Sequence, residues 1–261
     1  ERRSPRQARK TALGLLGAGQ LMFLKSIIAC DPDHTVKDLD ALLDALDSRV
    51  DISDDVQVLK GQVADSLAHA SPHLNVHDKV MIDASSPIHD DPMFGLTIPD
   101  GPGESLIDFV SKIEGITQVR MMRPSMMVVT THIVGGPRPE ESVEIVNEER
   151  AAAQREHIVN LRDTIWSLND SENLRWLFIT DDDADLQADG WRRKLLWQFF
   201  CRFDVARDLH FDENRSRLAW DATAPIPSNT GPHPVRRWPG VTLHDTEVET
   251  KVDAWMKENN L

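Results

Sequence analysis

The chain has 261 residues, of which 40% are hydrophobic, so it can bury a sizeable core and disorder is not expected. Its formal net charge of −14 argues against nucleic acid or an anionic membrane as the main partner, since both require a basic surface. Two cysteines, Cys30 and Cys201, are too few for a disulfide framework and favour a reducing, cytoplasmic compartment.

The N-terminal segment is basic, ERRSPRQARK, and an apolar stretch ending in Ile-Ala-Cys follows it. This order imitates a lipoprotein signal. Lys25 interrupts the apolar stretch, however, and the chain starts with Glu1 in place of Met, which indicates a fragment or a processed chain. Because no other stretch approaches the ~20 uninterrupted apolar residues of a membrane span, none is predicted.

Two segments of the chain repeat one pattern. Residues 25–51 read KSIIACDPDHTVKDLDALLDALDSRVD, and residues 175–204 read RWLFITDDDADLQADGWRRKLLWQFFCRFD. Each opens with an apolar run, passes through Asp-x-Asp into apolar residues at helical spacing, and ends in Arg-x-Asp. Further along, Asp-Ala-Ser at 83–85 matches Asp-Ala-Thr at 221–223. Each copy therefore predicts a strand, an acidic turn, a helix and a second strand.

This alternation of apolar strands and helices predicts an α/β fold with a mostly parallel sheet flanked by helices. We assign a first repeat unit to residues 1–84 and a second repeat unit to residues 125–224. Residues 85–124 begin with a stretch rich in Pro, Gly and Asp and are predicted as a linker or loop segment. Residues 225–261 are predicted to form an extended arm followed by a helix.

Local patterns predict three further elements. Residues 125–134, SMMVVTTHIV, are typical of a strand. Residues 135–168 begin with a proline and two first-turn glutamates and predict one long helix or two abutting helices. Residues 246–260 predict an amphipathic helix in which Thr246 and Glu249 form a capping box. Its apolar residues share one face: Val248, Val252, Trp255 and Met256.

The run LFITDDDADL, residues 177–186, places four carboxylates in five positions after an apolar strand. Asp181 and Asp183 could hold a hard cation there, as in metal-dependent glycosyltransferases. The alternative is structural: the carboxylates cap the following helix, and Arg202 neutralises part of their charge. The first copy keeps its helix and its Arg-x-Asp with a weaker turn, which favours the structural alternative, so no metal ligand is assigned. The residues of this acidic turn and its partners are Asp181, Asp183, Asp185, Arg202 and Asp204.

Motifs in both copies are similar to those of one known family. The stretch GLLGAGQLMFLKSIIACDPDHTVKDLDALLDALDSRVDISDD resembles the C-terminal domain of UbiD-type decarboxylases. LLWQFFCRFDVARD, followed by Asp-Ala-Thr, resembles the family's helix, its Arg-x-Asp-x-x-Arg-Asp motif and the segment after it. The tail VRRWPGVTLHD…VDAWMKE is similar to that of the longer members. The resemblance covers most of 12–84 and 175–261.

This resemblance implies a lyase that reversibly decarboxylates aromatic or α,β-unsaturated carboxylic acids, using prenylated FMN, a divalent metal and a monovalent cation. The family's catalytic residues and its flavin and metal ligands lie in a central domain, which should precede Glu1 and which this sequence lacks. The resemblance therefore assigns no catalytic residue to this chain, and the chain alone is expected to be inactive and to bind no cofactor.

The resemblance also implies partners for the chain. They are the N-terminal, flavin-binding domain of the same enzyme and further copies of the chain, contacted through the C-terminal helix. The family's C-terminal domain closes over the flavin and lines part of the substrate pocket. The candidates for the pocket or the cofactor cleft are Gly17, Gly19, Lys25 and Leu46. Leu46 lies in the helix predicted at 38–48, and a plain core position is its alternative.

Two other functions stay open at this point. One is a metal-dependent glycosyltransferase that uses Asp181 and Asp183. The other is a non-enzymatic oligomerisation scaffold whose C-terminal helix docks on a partner.

Overall fold

The computed structural model describes residues 4–32, 38–95, 98–134, 146–237 and 245–259. The helices in these ranges are α1 (Gln7–Leu16), α2 (Leu39–Arg49), α3 (Ile52–Asp55), α4 (Ile107–Val110), α5 (Glu148–Ser167), α6 (Trp191–Arg202), α7 (Val205–Asp208) and α8 (Thr246–Glu258). The strands are β1 (Ser26–Ala29), β2 (Val56–Val63), β3 (Val76–Asp83), β4 (Ile116–Arg123), β5 (Met126–Thr131), β6 (Trp176–Asp181), β7 (Leu209–Phe211) and β8 (Leu218–Asp221). Short 3₁₀ helices span Gly19–Phe23 and Gly103–Leu106. No helix in the described ranges is both long and apolar enough to cross a membrane.

The strands form two sheets, ordered β1-β3-β2 and β4-β5-β6-β8-β7. In the first sheet β1 runs parallel to β3, and β2 pairs with β3 in the antiparallel sense. In the second sheet β6 runs parallel to β8, and β7 pairs with β8 in the antiparallel sense. Each unit thus passes from a strand through a long and a short helix into a hairpin, with its last strand in the middle. The two units therefore have the same strand order and the same strand directions.

The expectation of a mostly parallel sheet was wrong. In the described ranges three strand pairs are parallel and three are antiparallel, so both sheets are mixed. Strands that follow each other along the chain without a crossover helix pair as antiparallel hairpins: β2 with β3, β4 with β5 and β7 with β8. The sequence pattern predicted the crossover helices but not these antiparallel hairpins.

Strand β4 lies within residues 85–124, where we had predicted a linker or loop segment. It is an edge strand, and most of its side chains are only partly buried. A strand of this kind carries polar residues and lacks the clean alternation that marks a half-buried strand. By contrast, β5 is buried along its whole length and confirms the strand predicted at 125–134.

Helix α2 follows from its capping residue and its leucine spacing. Asp38 accepts a hydrogen bond from the amide of Ala41 at 3.0 Å, which satisfies one of the amides left free at the helix start. The leucines recur at helical spacing and face the shared core: Leu39, Leu42, Leu43 and Leu46. The helix predicted at 38–48 is therefore confirmed.

The two units share one hydrophobic core. It contains side chains of α2, α3 and β3 from the first unit and of β6, α6 and β8 from the second. The rings of Phe203 and Trp220, whose centroids lie 4.9 Å apart, belong to its aromatic part. A second core lies beneath α5 on the opposite face of the five-stranded sheet, because successive residues of a strand point to opposite faces.

The C-terminal segments match their predictions only in part. Residues 225–237 are extended, but they fold back over the start of α5, where the amide of Asn147 donates to the carbonyl of Pro227 at 2.9 Å. Helix α8 forms as predicted, but Asp245 is its capping residue, so the predicted capping box of Thr246 and Glu249 was wrong. Asp245, one position earlier, is the N-cap because its carboxylate accepts a hydrogen bond from the otherwise unpaired amide of Glu247. Residues 135–145, the first part of the helical region predicted at 135–168, lie outside the described ranges.

Substitution of Leu46 by Ala tests whether this candidate pocket residue is a core residue. Leu46 is only 6% exposed and belongs to the shared core, so we expect Leu46→Ala to lower the free energy of unfolding by about 2–4 kcal/mol in urea. Leu196→Ala on the exposed side of α6 is the matched control, with an expected loss below about 1 kcal/mol. Equal losses for the two variants would contradict the core position of Leu46.

Candidate functional site: repeated carboxylate–arginine clusters

The acidic turn of the second unit closes around one arginine. Asp181 ends β6 and is 1% exposed. Arg202, at the end of α6, donates from Nη1 to Oδ2 of Asp181 at 2.8 Å and from Nη2 to Oδ2 of Asp183 at 3.1 Å. The amide of Ala224, just after β8, donates to the same Asp181 oxygen at 2.8 Å. The predicted pairing with Arg202 is confirmed, and its guanidinium lies between the two carboxylates.

The first unit repeats this cluster. Arg49, at the end of α2, donates to Oδ2 of Asp31 at 2.7 Å. The amide and hydroxyl of Ser86, just after β3, donate to the same oxygen at 3.1 and 2.6 Å. In both units an arginine from the helix end and an amide after the last strand therefore meet at one carboxylate. Asp33, the second carboxylate of the first copy, lies outside the described ranges.

The predicted capping of α6 by the acidic turn was wrong. The N-cap of α6 is Gly190, with φ of +76° and no side-chain capping bond. Asp183 instead accepts from the side-chain amide of Gln198 at 2.5 Å, and Asp185 accepts from the amide of Gln187 at 2.9 Å within its own turn. The carboxylates thus stabilise the turn and brace it against α6, while a left-handed glycine starts the helix.

Burial dominates the electrostatics of Asp181. It raises the pKa of Asp181 to about 7, although Arg202 and the Ala224 amide favour the charged form. One oxygen, Oδ1, has no hydrogen-bond partner among the described residues. Within those ranges no group of three or more His, Cys, Asp or Glu residues is arranged to hold a metal ion.

A second repeated feature follows each arginine. The amide of Asp51 donates to Asp55 at 2.8 Å, and the amide of Asp204 donates to Asp208 at 2.7 Å. Asp51 and Asp204 also cap the short helices α3 and α7. Burial raises the pKa of both Asp55 and Asp208, that of Asp55 to about 6. Asp204 therefore has a structural role in a turn that is built the same way in both units.

The third repeated feature lies at the end of the last strand. The amide and hydroxyl of Ser85 donate to Asp83 at 3.1 and 2.5 Å, and those of Thr223 donate to Asp221 at 2.8 and 2.7 Å. The match continues into the next residues, which read Ser-Pro-Ile at 86–88 and Ala-Pro-Ile at 224–226. The Asp-Ala-Ser/Thr match therefore corresponds to a turn in which the aspartate accepts hydrogen bonds from the residue two positions later.

Each unit has a cavity beside these carboxylates. The larger has about 450 Å³ and is lined by Asp55, Asp83, Ser85 and Ile88, among others. The smaller has about 310 Å³ and is lined by Asp208, Asp221, Thr223 and Ile226, among others. These four lining residues occupy matching positions in the two units.

The turn that carries Gly17, Gly19 and Lys25 lies at the contact between the units. Gly17 ends α1, and Gly19 has φ of +52°, which glycine adopts at little cost. The ammonium of Lys25 donates to the carbonyls of Phe200 and Phe203, both at 2.9 Å, at the end of α6, where a cation is favourable. Burial lowers the pKa of Lys25. The place of this turn at a cofactor cleft stays a prediction.

Lys79 also binds the backbone of this turn. Its ammonium donates to the carbonyls of Met22 and Leu24 at 2.5 and 2.7 Å, and lies 3.2 Å from Nε2 of His77. His77 is 2% exposed. Burial, together with the charges of Lys79 and Lys25, lowers the pKa of His77 to about 4. The imidazole is therefore neutral and can accept from the ammonium.

Three charged residues of these clusters were not identified from the sequence: Arg9, Lys79 and Arg207. Arg207 lies inside the Arg-x-Asp-x-x-Arg-Asp motif of the second copy, so the motif itself could have indicated it, whereas the first copy has Asp54 at this position. Arg9 and Lys79 contact partners 46 and 57 residues away. No local pattern signals such contacts.

Residues 1–84 match the family model of the 3-octaprenyl-4-hydroxybenzoate carboxy-lyase C-terminal domain. These residues are therefore similar to the C-terminal domain of UbiD-type carboxy-lyases, as the sequence motifs indicated. The matched residues include α1 and the whole first unit.

Two curated relatives are uncharacterized proteins of archaea. The chain is 33% identical over 91 residues to one from Archaeoglobus fulgidus, covering 35% of this chain and 19% of that protein. It is 36% identical over 84 residues to one from Aeropyrum pernix, covering 32% of this chain and 17% of that protein. The chain thus spans less than a fifth of the length of these relatives.

Solved structures of UbiD-class enzymes show a weaker likeness. HmfF from Pelotomaculum thermopropionicum, in complex with FMN, is 20% identical, with 38% of this chain and 22% of that chain covered and a TM-score of 0.32. Vanillic acid decarboxylase from Sedimentibacter hydroxybenzoicus, in open form, is 13% identical, with 71% and 41% covered and a TM-score of 0.37. A likeness of this size establishes neither a shared overall fold nor a shared function.

The buried His77 predicts a pH dependence of stability. Its folded pKa of about 4 lies below the value of 6.5 expected in the unfolded chain, so its stabilising contribution is fully present above pH 6.5. As the pH falls from there toward 4, the unfolded chain takes up a proton that the folded chain does not. We expect the contribution of His77 to the free energy of unfolding to fall by up to about 3 kcal/mol across this window. It is measured as the difference between the unsubstituted protein and a His77 variant, because Asp55 and Asp181, whose pKa values are raised by burial, act in the opposite direction.

Urea unfolding at about pH 7.5 and about pH 4.5 checks this expectation. His77→Gln should show a smaller loss than the unsubstituted protein. The control is His89→Gln, because the side chain of His89 is exposed and should leave the loss unchanged. The assignment fails if His77→Gln loses as much stability on acidification as the unsubstituted protein.

Proposed function

We propose that this chain is the C-terminal domain, or a separately encoded C-terminal subunit, of a UbiD-like carboxy-lyase. It closes the substrate pocket and carries an oligomer contact in an enzyme that acts on aromatic or α,β-unsaturated carboxylic acids. The observation that carries this proposal is the family match over residues 1–84. The clusters of Asp31 with Arg49 and of Asp51 with Asp55 lie inside the matched residues.

The catalytic chemistry belongs, in this proposal, to the N-terminal, flavin-binding domain. Prenylated FMN, with a divalent metal and a monovalent cation, supplies the decarboxylation chemistry when bound there. The residues of this chain do not fit such a site: the guanidinium of Arg202 lies between Asp181 and Asp183, where a cation would otherwise bind. We therefore assign no catalytic, flavin-binding or metal-binding residue to the described part of the chain. The same contact disfavours a glycosyltransferase that uses these two carboxylates.

The surface around the Gly17–Lys25 turn supports a partner that covers it. Leu21 and Leu24 are exposed at this turn, and Lys79 fixes its backbone. Burial of an exposed apolar patch by another domain is favourable, and such patches mark interaction sites. We propose that the flavin-binding domain is this partner and that the turn lies at the interdomain cleft. The assembled enzyme is proposed to be cytoplasmic.

Helix α8 supports the proposed oligomer contact. Its apolar residues Val248, Val252, Trp255 and Met256 all remain exposed, and Trp255 is 56% exposed. A stripe of this kind on an otherwise charged helix fits a complementary apolar groove. We propose that the groove belongs to another copy of the chain.

The activity test compares the chain alone with the chain plus the flavin-binding domain encoded with it. With prenylated FMN, Mn²⁺, K⁺ and a panel of aromatic and α,β-unsaturated acids, we expect CO₂ release only from the combined protein. Leu24→Asp should impair this release without lowering the urea midpoint, whereas Leu67→Asp, at an exposed loop position, should not. Flavin loading and turnover by residues 1–261 alone would contradict the proposal. A combined protein that binds but never decarboxylates would favour a non-enzymatic scaffold.

The oligomer contact has its own test by light scattering. Trp255→Asp should shift the protein toward smaller species with an unchanged urea midpoint, because no residue of α8 is buried within the described chain. Thr250→Asp, on the same helix but away from the apolar stripe, is the matched control and should leave the mass unchanged. An unchanged mass for Trp255→Asp excludes α8 as the contact.

A further inference from the structure

The two units differ at one charged position of the turn that follows their helix. The second unit reads Asp-Val-Ala-Arg-Asp at 204–208, and the first reads Asp-Ile-Ser-Asp-Asp at 51–55. Asp54 therefore stands where Arg207 stands in the second unit. The backbone is the same in both, because each turn is a short helix capped by its first aspartate. The two turns thus have the same backbone, but the second unit has a cation at the position where the first unit has an anion.

Arg207 neutralises the second unit from within. It donates from Nε and Nη2 to the two oxygens of Asp208, at 2.6 and 2.7 Å. This two-point contact is the strongest geometry between a guanidinium and a carboxylate. Burial raises the pKa of Asp221 nearby, and Arg207 is one of the groups that partly offset this rise.

The first unit has no arginine at this position of its turn, and three carboxylates gather there instead. Arg9 of α1 reaches all three: Nη2 lies 2.5 Å from Oδ1 of Asp55 and 2.6 Å from Oδ2 of Asp54, and Nε lies 3.3 Å from Oδ2 of Asp83. Arg9 is 8% exposed. Arg6, the residue that precedes α1, also contacts Asp54.

We infer that Asp54, Asp55 and Asp83 form a docking surface for an arginine-bearing helix, and that α1 is the helix it holds. Arg9 supplies to the first unit the charge that Arg207 supplies to the second. Buried carboxylates without a cation are costly, so the first unit is complete only when α1 is docked. Helix α1 lies outside the strand–helix–hairpin frame and is attached to it through this charge contact and through Ala12 and Leu16, which it buries.

The docked helix also sets the position of the turn that follows it. Gly17 ends α1, and the chain then runs through the 3₁₀ helix to Lys25 and β1. One end of this segment is fixed by Arg9 and the other by Lys79 and Lys25. This inference stands on the contacts of the first unit and does not depend on the proposed enzymatic role.

A double-mutant cycle on the full chain tests the inference. Arg9→Ala removes the cation, and Asp54→Arg adds one beside Arg6 and Arg9, so each single variant should lower the melting temperature, Arg9→Ala by roughly 10 °C. In the double variant the arginine introduced at position 54 can pair with Asp55 as Arg207 pairs with Asp208. We therefore expect the double variant to melt well above Arg9→Ala. A double variant that melts at or below Arg9→Ala overturns the inference.

Hydrogen exchange separates the docking of α1 from general stability. Arg9→Ala should increase exchange in α1, and the double variant should restore stability while α1 still exchanges fast, because its anchor is gone. Lys10→Ala, at an exposed position of α1, is the matched control and should change neither quantity. Arg9→Lys, the milder variant, should give a smaller loss of the same sign. Slow exchange of α1 in both Arg9 variants contradicts the docking role.

Discussion

One contact organises each unit: the salt bridge from the end of the helix back to the end of the first strand. Arg49 meets Asp31, and Arg202 meets Asp181, at 2.7 and 2.8 Å. The carboxylate follows the first strand, and its partners come from the end of the helix and from the residues after the last strand. Ser86 and Ala224 supply the amides after the last strand. Because a buried carboxylate is costly unless it is paired, the contacts of this one residue hold the helix and the hairpin against the strand.

Charged contacts also join the units around their common core. Asp40 and Asp44 of α2 pair with Arg123 at the end of β4, and Arg192 of α6 pairs with Asp40. In the opposite direction Lys25 of the first unit binds the carbonyl end of α6. Helix α2 is thus packed on the second unit along its acidic face.

The sequence predicted those features that a repeat or a helical period encodes. The helix at 38–48, the strand at 125–134 and the pairing of Arg202 with the acidic turn follow from residue spacing and from comparison of the copies. The antiparallel returns and the edge strand Ile116–Arg123 did not, because an edge strand has little apolar patterning. The cap of α6 was missed for a different reason. Four nearby aspartates were strong capping candidates, and the left-handed Gly190 replaced them.

The other residues that the sequence did not predict are cations whose partners are distant along the chain. Arg9 and Lys79 have their partners far along the chain, and a long flexible side chain leaves no periodic trace. The comparison of the units shows why such contacts escape local patterns. The two turns place their aspartates alike, yet the cation comes from the turn itself in one unit and from a separate helix in the other. The charge balance of the cluster is therefore constrained while the position of the balancing arginine is not. A turn in this fold can be recognised from its aspartates, but its stability is decided by a residue that lies elsewhere in the chain.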